Sequence, residues 1–344
     1  SDNFKTYAWG LYEYFDGFPT DGGYTPANIS SEYDTDNIIY ANSGGESDYA
    51  YQLKKLPATS DSWSFTYIRR VNIMLQNIDG SSMSDVDKDH WRSVGYFFRA
   101  LRYFDMMAAY GDVPWIDKVL SDTDTEDLYC ERTPRDEVAK HILEDLQWAE
   151  EHIKEDGTGT NTINVHVVRA LISRFGLFEG TWRKYHGLGD AEKYLQACAK
   201  YSELLMADYP SLYQGVAKND KGEPVPGAGY GELWTSLNLK GVPGVIFYKR
   251  IVGEVNPHRF SDYEHIAAHN YEMPQYTVDM YLCQDGKTIS NSKQYQFGPE
   301  NRSIHAVFRN RDPRLWHVVM PPFRVLSKTD ATAYPELGAY QADG

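Results

Sequence analysis

Residues 84–104 read SDVDKDHWRSVGYFFRALRYF, and this stretch decides the fold class. Apolar residues recur along it at steps of three and four, at Trp91, Val94, Phe98, Leu101 and Phe104. That spacing places them on one face of a helix. Ser84 with Asp87 three residues later is the pattern of a helix N-cap, and Gly111 and Pro114 end the periodic stretch. The sequence therefore predicts a long amphipathic helix here.

Helices of the same kind are predicted on both sides of this stretch. One begins near Trp63 and ends at Gly80, and should pair with the long helix. Downstream, Thr133-Pro134, Asn164 and Asp190 are predicted to begin three more helices, each with an apolar stripe and separated by short turns. Five such helices indicate a mostly α fold, a superhelix of helix-turn-helix pairs resembling tetratricopeptide repeats.

The two ends of the chain follow a different pattern. Residues 1–62 are rich in Gly, Asn, Ser, Asp and Tyr and are predicted to be loops with one short helix near Trp9. Residues 209–344 contain Pro, Gly and short apolar runs such as 245–248, which favour strands and long loops. We predict a loop-rich segment at 1–62, a helical-repeat region at 63–208 and a loop-rich ligand-binding region at 209–344, all within one domain.

Composition excludes several classes of function. The net charge is −15, with no cluster of Lys or Arg on any predicted helix face, so nucleic acid is excluded as a partner. The three cysteines lie far apart and indicate neither a disulfide framework nor a zinc knuckle. Tyrosine is nearly twice as common as phenylalanine, at 27 against 14 residues. Since Tyr joins an apolar ring to a hydroxyl, this bias is typical of wet recognition surfaces.

Six segments of this chain carry a resemblance through their order and spacing. They are WSFTYIRRVN at 63–72, YFFRALRYF at 96–104, YGDVP at 110–114, RAL to FEGT at 169–181, MPQYTVDMY at 273–281 and NRDPRL at 310–315. Together they resemble the SusD/RagB family of surface-exposed nutrient-binding lipoproteins. The residues themselves suggest structural roles: Arg99 and Arg102 could tie helix ends or loop carbonyls together, and Asp312-Pro313 is typical of an extended segment entering a turn.

The resemblance implies a cell-surface protein that catalyses nothing. Such a protein captures an oligosaccharide and delivers it to a TonB-dependent SusC-like transporter in the outer membrane, over whose pore it sits like a lid. It is held there by an N-terminal lipid anchor, which this chain does not contain. The family pattern continues into further helices after the Asp-Pro-Arg-Leu segment. We therefore expect this chain to be part of a longer protein, truncated at the C-terminus.

The ligand-binding residues are expected in the irregular stretches, because a glycan site needs aromatic platforms with polar groups at their edges. The principal candidates are Trp234, Tyr263, Tyr271, Tyr40, Tyr51 and Arg250. Further candidates in the same stretches are Tyr33, Asp34, Asn42, Tyr49, Tyr230, Phe260, Arg259 and Asn270. Trp234 ranks first because it lies in a Gly-rich loop with no helical stripe to bury it. Trp63, Trp91 and Trp182 belong to stripes and are predicted to be core residues.

Metal sites and two other functions are alternatives to this interpretation. His265 and His269 have the spacing of zinc ligands on a helix, but the glutamate of zinc hydrolases is absent. The acidic run 122–127 lacks the glycine of a calcium loop. We expect no cofactor and leave open a structural calcium. A glycoside hydrolase would need two carboxylates about 5–10 Å apart, and a solenoid docking peptides or proteins would bind on its concave helical face.

Overall fold

The computed structural model describes residues 2–15, 37, 39–40, 59–60, 62–219, 221–225, 227–250, 252, 271–295 and 306–319. The described chain is mostly α, as predicted. Its α-helices are α1 Asp2–Trp9, α2 Thr66–Gln76, α3 Asp85–Tyr110, α4 Thr125–Leu128, α5 Arg135–His152, α6 Val165–Tyr185, α7 Ala191–Asp208, α8 Ala228–Thr235, α9 Gln275–Met280 and α10 Arg314–Val318. Short 3-10 helices occupy Gly10–Tyr14 and Ala306–Phe308, and two-residue strands occupy β1 Ile39–Tyr40 and β2 Tyr271–Glu272.

The described residues divide into two compact units. The helical unit contains residues 2–15, 59–60, 62–212 and 243–249. The loop-rich unit contains residues 37, 39–40, 213–219, 221–225, 227–242, 250, 252, 271–295 and 306–319. None of the described helices combines the length and apolar composition needed to cross a bilayer.

The core of the helical unit comes from the predicted stripes. Along α3, Trp91, Val94, Phe98 and Phe104 are buried, and Leu101 packs against them half-buried. Helices α2 and α3, α3 and α5, α5 and α6, and α6 and α7 pack in succession. Each helix covers the apolar face of its neighbour, which is how helix pairs of this kind become stable.

Two of the four predicted N-caps are confirmed. The Ser84 side chain accepts a hydrogen bond from the Asp87 amide at 3.3 Å, and the Asn164 side chain accepts one from the Val167 amide at 3.1 Å. The Asp190 prediction is wrong in mechanism, because Asp190 is left-handed, with φ of 62°, and its side chain makes no capping hydrogen bond.

Thr133 also does not cap its helix. Its hydroxyl accepts a hydrogen bond from the Trp115 amide at 2.9 Å, and α5 begins two residues later, at Arg135. The Arg135 amide instead donates to Oδ1 of Asp112 at 2.8 Å. The start of α5 is therefore stabilised by a carboxylate from a distant segment, which also lies favourably at the positive end of the helix.

Residues 245–248, predicted to favour strands and long loops, form a loop. This segment forms no strand, and Ile246 and Phe247 pack against the helical core. One side chain binds the backbone of Tyr248: Nδ2 of Asn161 donates to the Tyr248 carbonyl at 2.6 Å, and the Tyr248 amide donates to Oδ1 of Asn161 at 3.1 Å. A short apolar run can be buried by a helical core as well as by a sheet.

Of the three tryptophans predicted to be core, only Trp91 is fully buried, at 4% exposed. Trp63 is half-buried, and Trp182 is 38% exposed, so its assignment to the core was wrong. The Trp182 ring stacks on His186 with centroids 4.0 Å apart and lies under the Arg135 guanidinium at 4.6 Å. The stacking and cation–π contacts stabilise the Trp182 ring at the surface although it is not buried.

The two arginines of the YFFRALRYF segment have different structural roles. Nη2 of Arg102 donates to the carbonyls of Ser62 and Ser64 at 2.7 and 2.8 Å, which confirms the predicted tie to a loop. Arg99 instead pairs with Asp145 of α5 through two hydrogen bonds of 2.7 Å. Arg102 thus fixes the entry to α2, and Arg99 joins α3 to α5.

A buried histidine predicts that the helical unit loses stability in acid. His90 is 1% exposed, its Nδ1 accepts from the Lys154 amide at 3.3 Å, and its Nε2 has no partner among the described residues. Burial, reinforced by the nearby Lys154 ammonium, lowers the pKa of His90 to about 4. Because the unfolded chain binds this proton more readily, stability should fall by about 3 kcal/mol as pH drops from about 6.5 to about 4.

This pH dependence is measured by urea denaturation at several pH values between 7.5 and 4, comparing the native chain with His90→Gln. The glutamine keeps an acceptor for the Lys154 amide but does not titrate. We expect the variant to have the flatter curve of stability against pH. Parallel curves for the two proteins would show that His90 is not responsible.

Candidate ligand-binding site

Trp234 is exposed, as predicted, but it lies on a helix and not in a loop. Its side chain is 72% exposed and belongs to α8. The helix starts after Gly227, which adopts a left-handed conformation with φ of 72° that glycine reaches without strain. The eight residues of α8 include two glycines and give no readable helical period, so the sequence pattern did not reveal this helix.

A carboxylate anchors α8 to the preceding segment. Glu232 accepts hydrogen bonds from the Tyr213 hydroxyl at 2.7 Å, the Val216 amide at 3.0 Å and the Ala217 amide at 2.8 Å. The hydrogen bond from Tyr213, followed by those from the two amides, lowers the pKa of Glu232. Trp234 therefore lies two residues after Glu232, whose position these hydrogen bonds fix.

Glycines let α8 approach its neighbours closely. A side chain at Gly229 would collide with the backbone at Tyr213, and one at Gly231 would collide with the His317 ring of α10. Gly227 lies against Pro313. The helix is thus held by residues 213–217 on one side and by α10 on another. Trp234 and Tyr230, one turn apart with ring centroids 6.0 Å apart, are presented on a packed support.

The structure brings together two other predicted site residues. In the antiparallel pair of β1 and β2, Tyr40 lies directly opposite Tyr271. Arg250 is described and exposed, in the same loop-rich unit. Tyr51 and Tyr263 lie outside the described residues. So do the further candidates Tyr33, Asp34, Asn42, Tyr49, Phe260, Arg259 and Asn270, as well as the His265 and His269 pair.

A cavity of about 820 Å³ in the helical unit was not predicted. It lies between the start of α2 and the segment 114–132. Its apolar wall includes Trp63, Phe65, Ile68, Pro114, Ile116, Leu120 and Leu128, and its polar wall includes Arg69, Asn72, Lys118, Asp122, Asp127 and Arg132. Its volume is within the usual range of small-molecule sites. The stripe pattern assigned Trp63 to the core because it could not show that a distant segment leaves a space beside it.

Two carboxylates of the acidic run 122–127, at the edge of the cavity, bind nearby residues of the same loop. Asp124 accepts hydrogen bonds from the Ser121 amide and hydroxyl at 2.7 and 2.9 Å, and these bonds lower its pKa. Asp127 pairs with Lys118 at 2.7 Å. Within the part of the chain that the structure describes, no group of three or more His, Cys, Asp or Glu side chains is arranged to hold a metal.

Residues 21–177 match a SusD-like family model described as starch-binding and associating with the outer membrane. A SusD-like protein, P2, from Formosa agariphila is 24% identical over 181 residues, which cover 49% of this chain and 35% of that protein.

Solved structures share the fold. A SusD-like protein from Bacteroides fragilis matches with a TM-score of 0.63 at 20% identity, over 91% of this chain and 59% of that one. A SusD-like carbohydrate-binding protein from the same species matches with a TM-score of 0.63 at 16% identity, over 92% and 58%. A laminarin-binding SusD-like protein matches with a TM-score of 0.50 at 16% identity, over 70% and 49%. This chain thus spans about a third to three-fifths of the length of these proteins.

Proposed function

We propose that this chain, which belongs to the SusD/RagB family, captures an oligosaccharide at the cell surface for import. In this role it would act on the outer membrane, held by a lipid anchor, and deliver the glycan to a TonB-dependent SusC-like transporter. The family model's description as starch-binding and the laminarin-binding relative support a glycan ligand. The anchor and the transporter follow from the family resemblance.

The exposed Trp234 ring is the observation that carries the proposal. A large apolar ring left 72% exposed gains free energy when a ligand covers it. Flexible exposed rings lose part of that gain to ordering, but α8 is already held by Glu232 and by close packing at Gly229 and Gly231. Such a platform suits the apolar face of a sugar ring.

Carboxylates near Trp234 favour binding over hydrolysis. A glycosidase needs one carboxylic acid whose pKa is raised so that it can protonate the leaving group. Hydrogen bonds lower the pKa of Glu232, and the Arg314 guanidinium lowers that of Asp312. Both are held as anions and are poor general acids. We therefore propose that the chain binds glycan without cleaving it.

Replacing Trp234 with alanine is expected to weaken glycan binding by about ten- to thirty-fold. Losing about 60–80 Å² of ring contact at about 25 cal/mol per Å² corresponds to about 1.5–2 kcal/mol. Affinity electrophoresis in gels containing laminarin, starch or other polysaccharides measures this change. Tyr185→Ala is the matched control, because Tyr185 is 78% exposed but lies on α6 in the helical unit.

The same assay separates the platform from the cavity. Cys130 is exposed and lies in the cavity wall, so a bulky maleimide on its thiol would obstruct the cavity. If labelling abolishes binding while Trp234→Ala leaves it unchanged, the cavity is the site and the platform proposal is wrong. Release of new reducing ends during incubation would contradict the absence of catalysis.

A further inference from the structure

Three segments of the loop-rich unit converge beside the Trp234 platform. Helix α8 touches α10 where Gly231 lies against His317. The Asp312 amide donates to the Leu282 carbonyl at 2.8 Å, and the Gln284 amide donates to the Asn310 carbonyl at 2.8 Å. The turn at 281–284 and the start of α10 are thus joined, and both adjoin the helix that carries Tyr230 and Trp234.

A buried arginine holds this junction in place. Arg311 is 1% exposed, and its guanidinium donates to the carbonyls of Val307 at 3.0 Å, Val278 at 2.5 Å and Tyr281 at 2.9 Å. Since one planar group binds carbonyls from separate turns, the backbone at Tyr281 and at Asp312 is fixed.

The next arginine has unused hydrogen-bonding capacity. Nε of Arg314 donates to both oxygens of Asp312 at 3.0 Å, and Nη2 donates to Oδ2 at 2.5 Å. Asp312 also accepts from the Arg314 amide at 2.9 Å. The Arg314 side chain is nevertheless 59% exposed, and Nη1 makes no hydrogen bond among the described residues. This guanidinium is held rigidly along one edge, and its other edge can bind a ligand.

Two tyrosine hydroxyls complete the cluster. Tyr230 and Tyr281 are half-buried, and neither hydroxyl has a hydrogen-bond partner within the described chain. Burial raises the pKa of Tyr281, with further contributions from Tyr230, which raises it, and Arg314, which lowers it. The Asp312–Leu282 hydrogen bond and the contact of Gly231 with His317 place both tyrosines in segments that adjoin α10, the helix that begins at Arg314. Tyr230 also contacts Trp234, so the cluster continues the platform.

We propose that Arg314, Tyr230 and Tyr281 form the polar edge of the Trp234 platform and select a neutral oligosaccharide over one that bears carboxylates. Asp312 already neutralises Arg314, so the cluster offers donors for hydroxyl groups without a free positive charge. A uronic acid would have to approach the Asp312 carboxylate on a chain whose net charge is −15. This inference rests on the proposed glycan-binding function and names the class of its ligand.

The test compares laminarin as the neutral probe with polygalacturonate as the acidic one, by affinity electrophoresis at equal ionic strength. We expect the native chain to be retained by laminarin and not by polygalacturonate. Arg314→Gln should weaken laminarin binding by at least about fivefold. Arg174→Gln is the matched control, because Arg174 is also exposed but lies on α6 without a hydrogen bond to any described residue.

Asp312→Asn gives a readout that a purely structural role would not produce. Removing the neutralising carboxylate should create measurable affinity for polygalacturonate, and adding Arg314→Gln should abolish it. Native affinity in Arg314→Gln, or a native chain that prefers polygalacturonate, would overturn this inference. In the first case, weakened binding by Trp234→Ala would leave the proposed function intact. Retention of the native chain by neither polysaccharide nor any other glycan would overturn both.

Discussion

Replacing Asp145 with alanine is expected to lower the free energy of unfolding by about 3–5 kcal/mol, because the Arg99 charge would remain buried without its partner. The side chains of Arg99 and Asp145 are 8% and 10% exposed and are joined by two hydrogen bonds of 2.7 Å. The guanidinium also lies near the Tyr96 ring at 4.8 Å and the Trp115 ring at 5.2 Å. Urea denaturation followed by tryptophan fluorescence measures the loss.

A second substitution tests whether the loss comes from the unpaired charge. Arg99→Met combined with Asp145→Leu removes both charges and should recover most of the lost stability, since apolar residues of similar size can replace a buried ion pair. The control is Glu144→Ala, which removes the exposed partner of Lys140 and should change stability by less than about 0.5 kcal/mol. A double variant no more stable than Asp145→Ala would contradict this explanation.

The sequence predicted the helices well because their signal is local. The stripe through Trp91, Val94 and Phe98 repeats within a few turns, and burial follows wherever neighbouring helices pack on it. Ser84 and Asn164 cap their helices through amides three residues away, which is also a local pattern. Thr133 failed as a cap because its hydroxyl binds the Trp115 amide and Asp112 takes over at α5, and such partners cannot be read from nearby sequence.

The candidate site was predictable only in part, because its contacts also join segments that are distant in the sequence. Exposure of Trp234 followed from the lack of a stripe around it. Its support depends on Glu232 reaching residues 213–217 and on α10 packing beside Gly231, and these contacts join separate segments. Tyr40 and Tyr271 lie in two separate irregular stretches, and no sequence pattern indicates that they pair across β1 and β2.

Arg314, which we propose contacts the ligand, lies in a segment whose sequence indicated only a structural role. The sequence favoured a turn at Asp312-Pro313, and the Asp312 carboxylate does accept the Arg314 amide at the start of α10. That local role gave no reason to consider the exposed guanidinium as a ligand contact. Only the convergence of α8, the 281–284 turn and α10 shows that Arg314 begins a helix adjoining the segments that carry Tyr230 and Tyr281.

Replacing Glu179 with alanine is expected to destabilise the helical unit by about 3–5 kcal/mol, because one buried carboxylate serves two cations. Glu179 on α6 has no exposed surface, and it accepts from Nη2 of Arg135 at 2.5 Å and from Nε of Arg183 at 2.9 Å. Without it, two guanidinium groups would lie close together with no anion between them. Urea denaturation and far-ultraviolet circular dichroism of the whole chain measure the effect.

Charge and shape can be separated at this position. Glu179→Gln keeps a side chain of similar size but removes the negative charge, and it should cost less than alanine while still exceeding about 1 kcal/mol. Asp136→Ala is the matched control: Asp136 also binds Arg183, at 2.8 Å, but its side chain is 71% exposed, so the loss should stay below about 1 kcal/mol. Equal losses of unfolding free energy in Glu179→Ala and Asp136→Ala would mean that burial does not decide how strongly these carboxylates stabilise the protein. The larger effect at Glu179 is expected because water cannot replace the missing carboxylate there, whereas it can at Asp136.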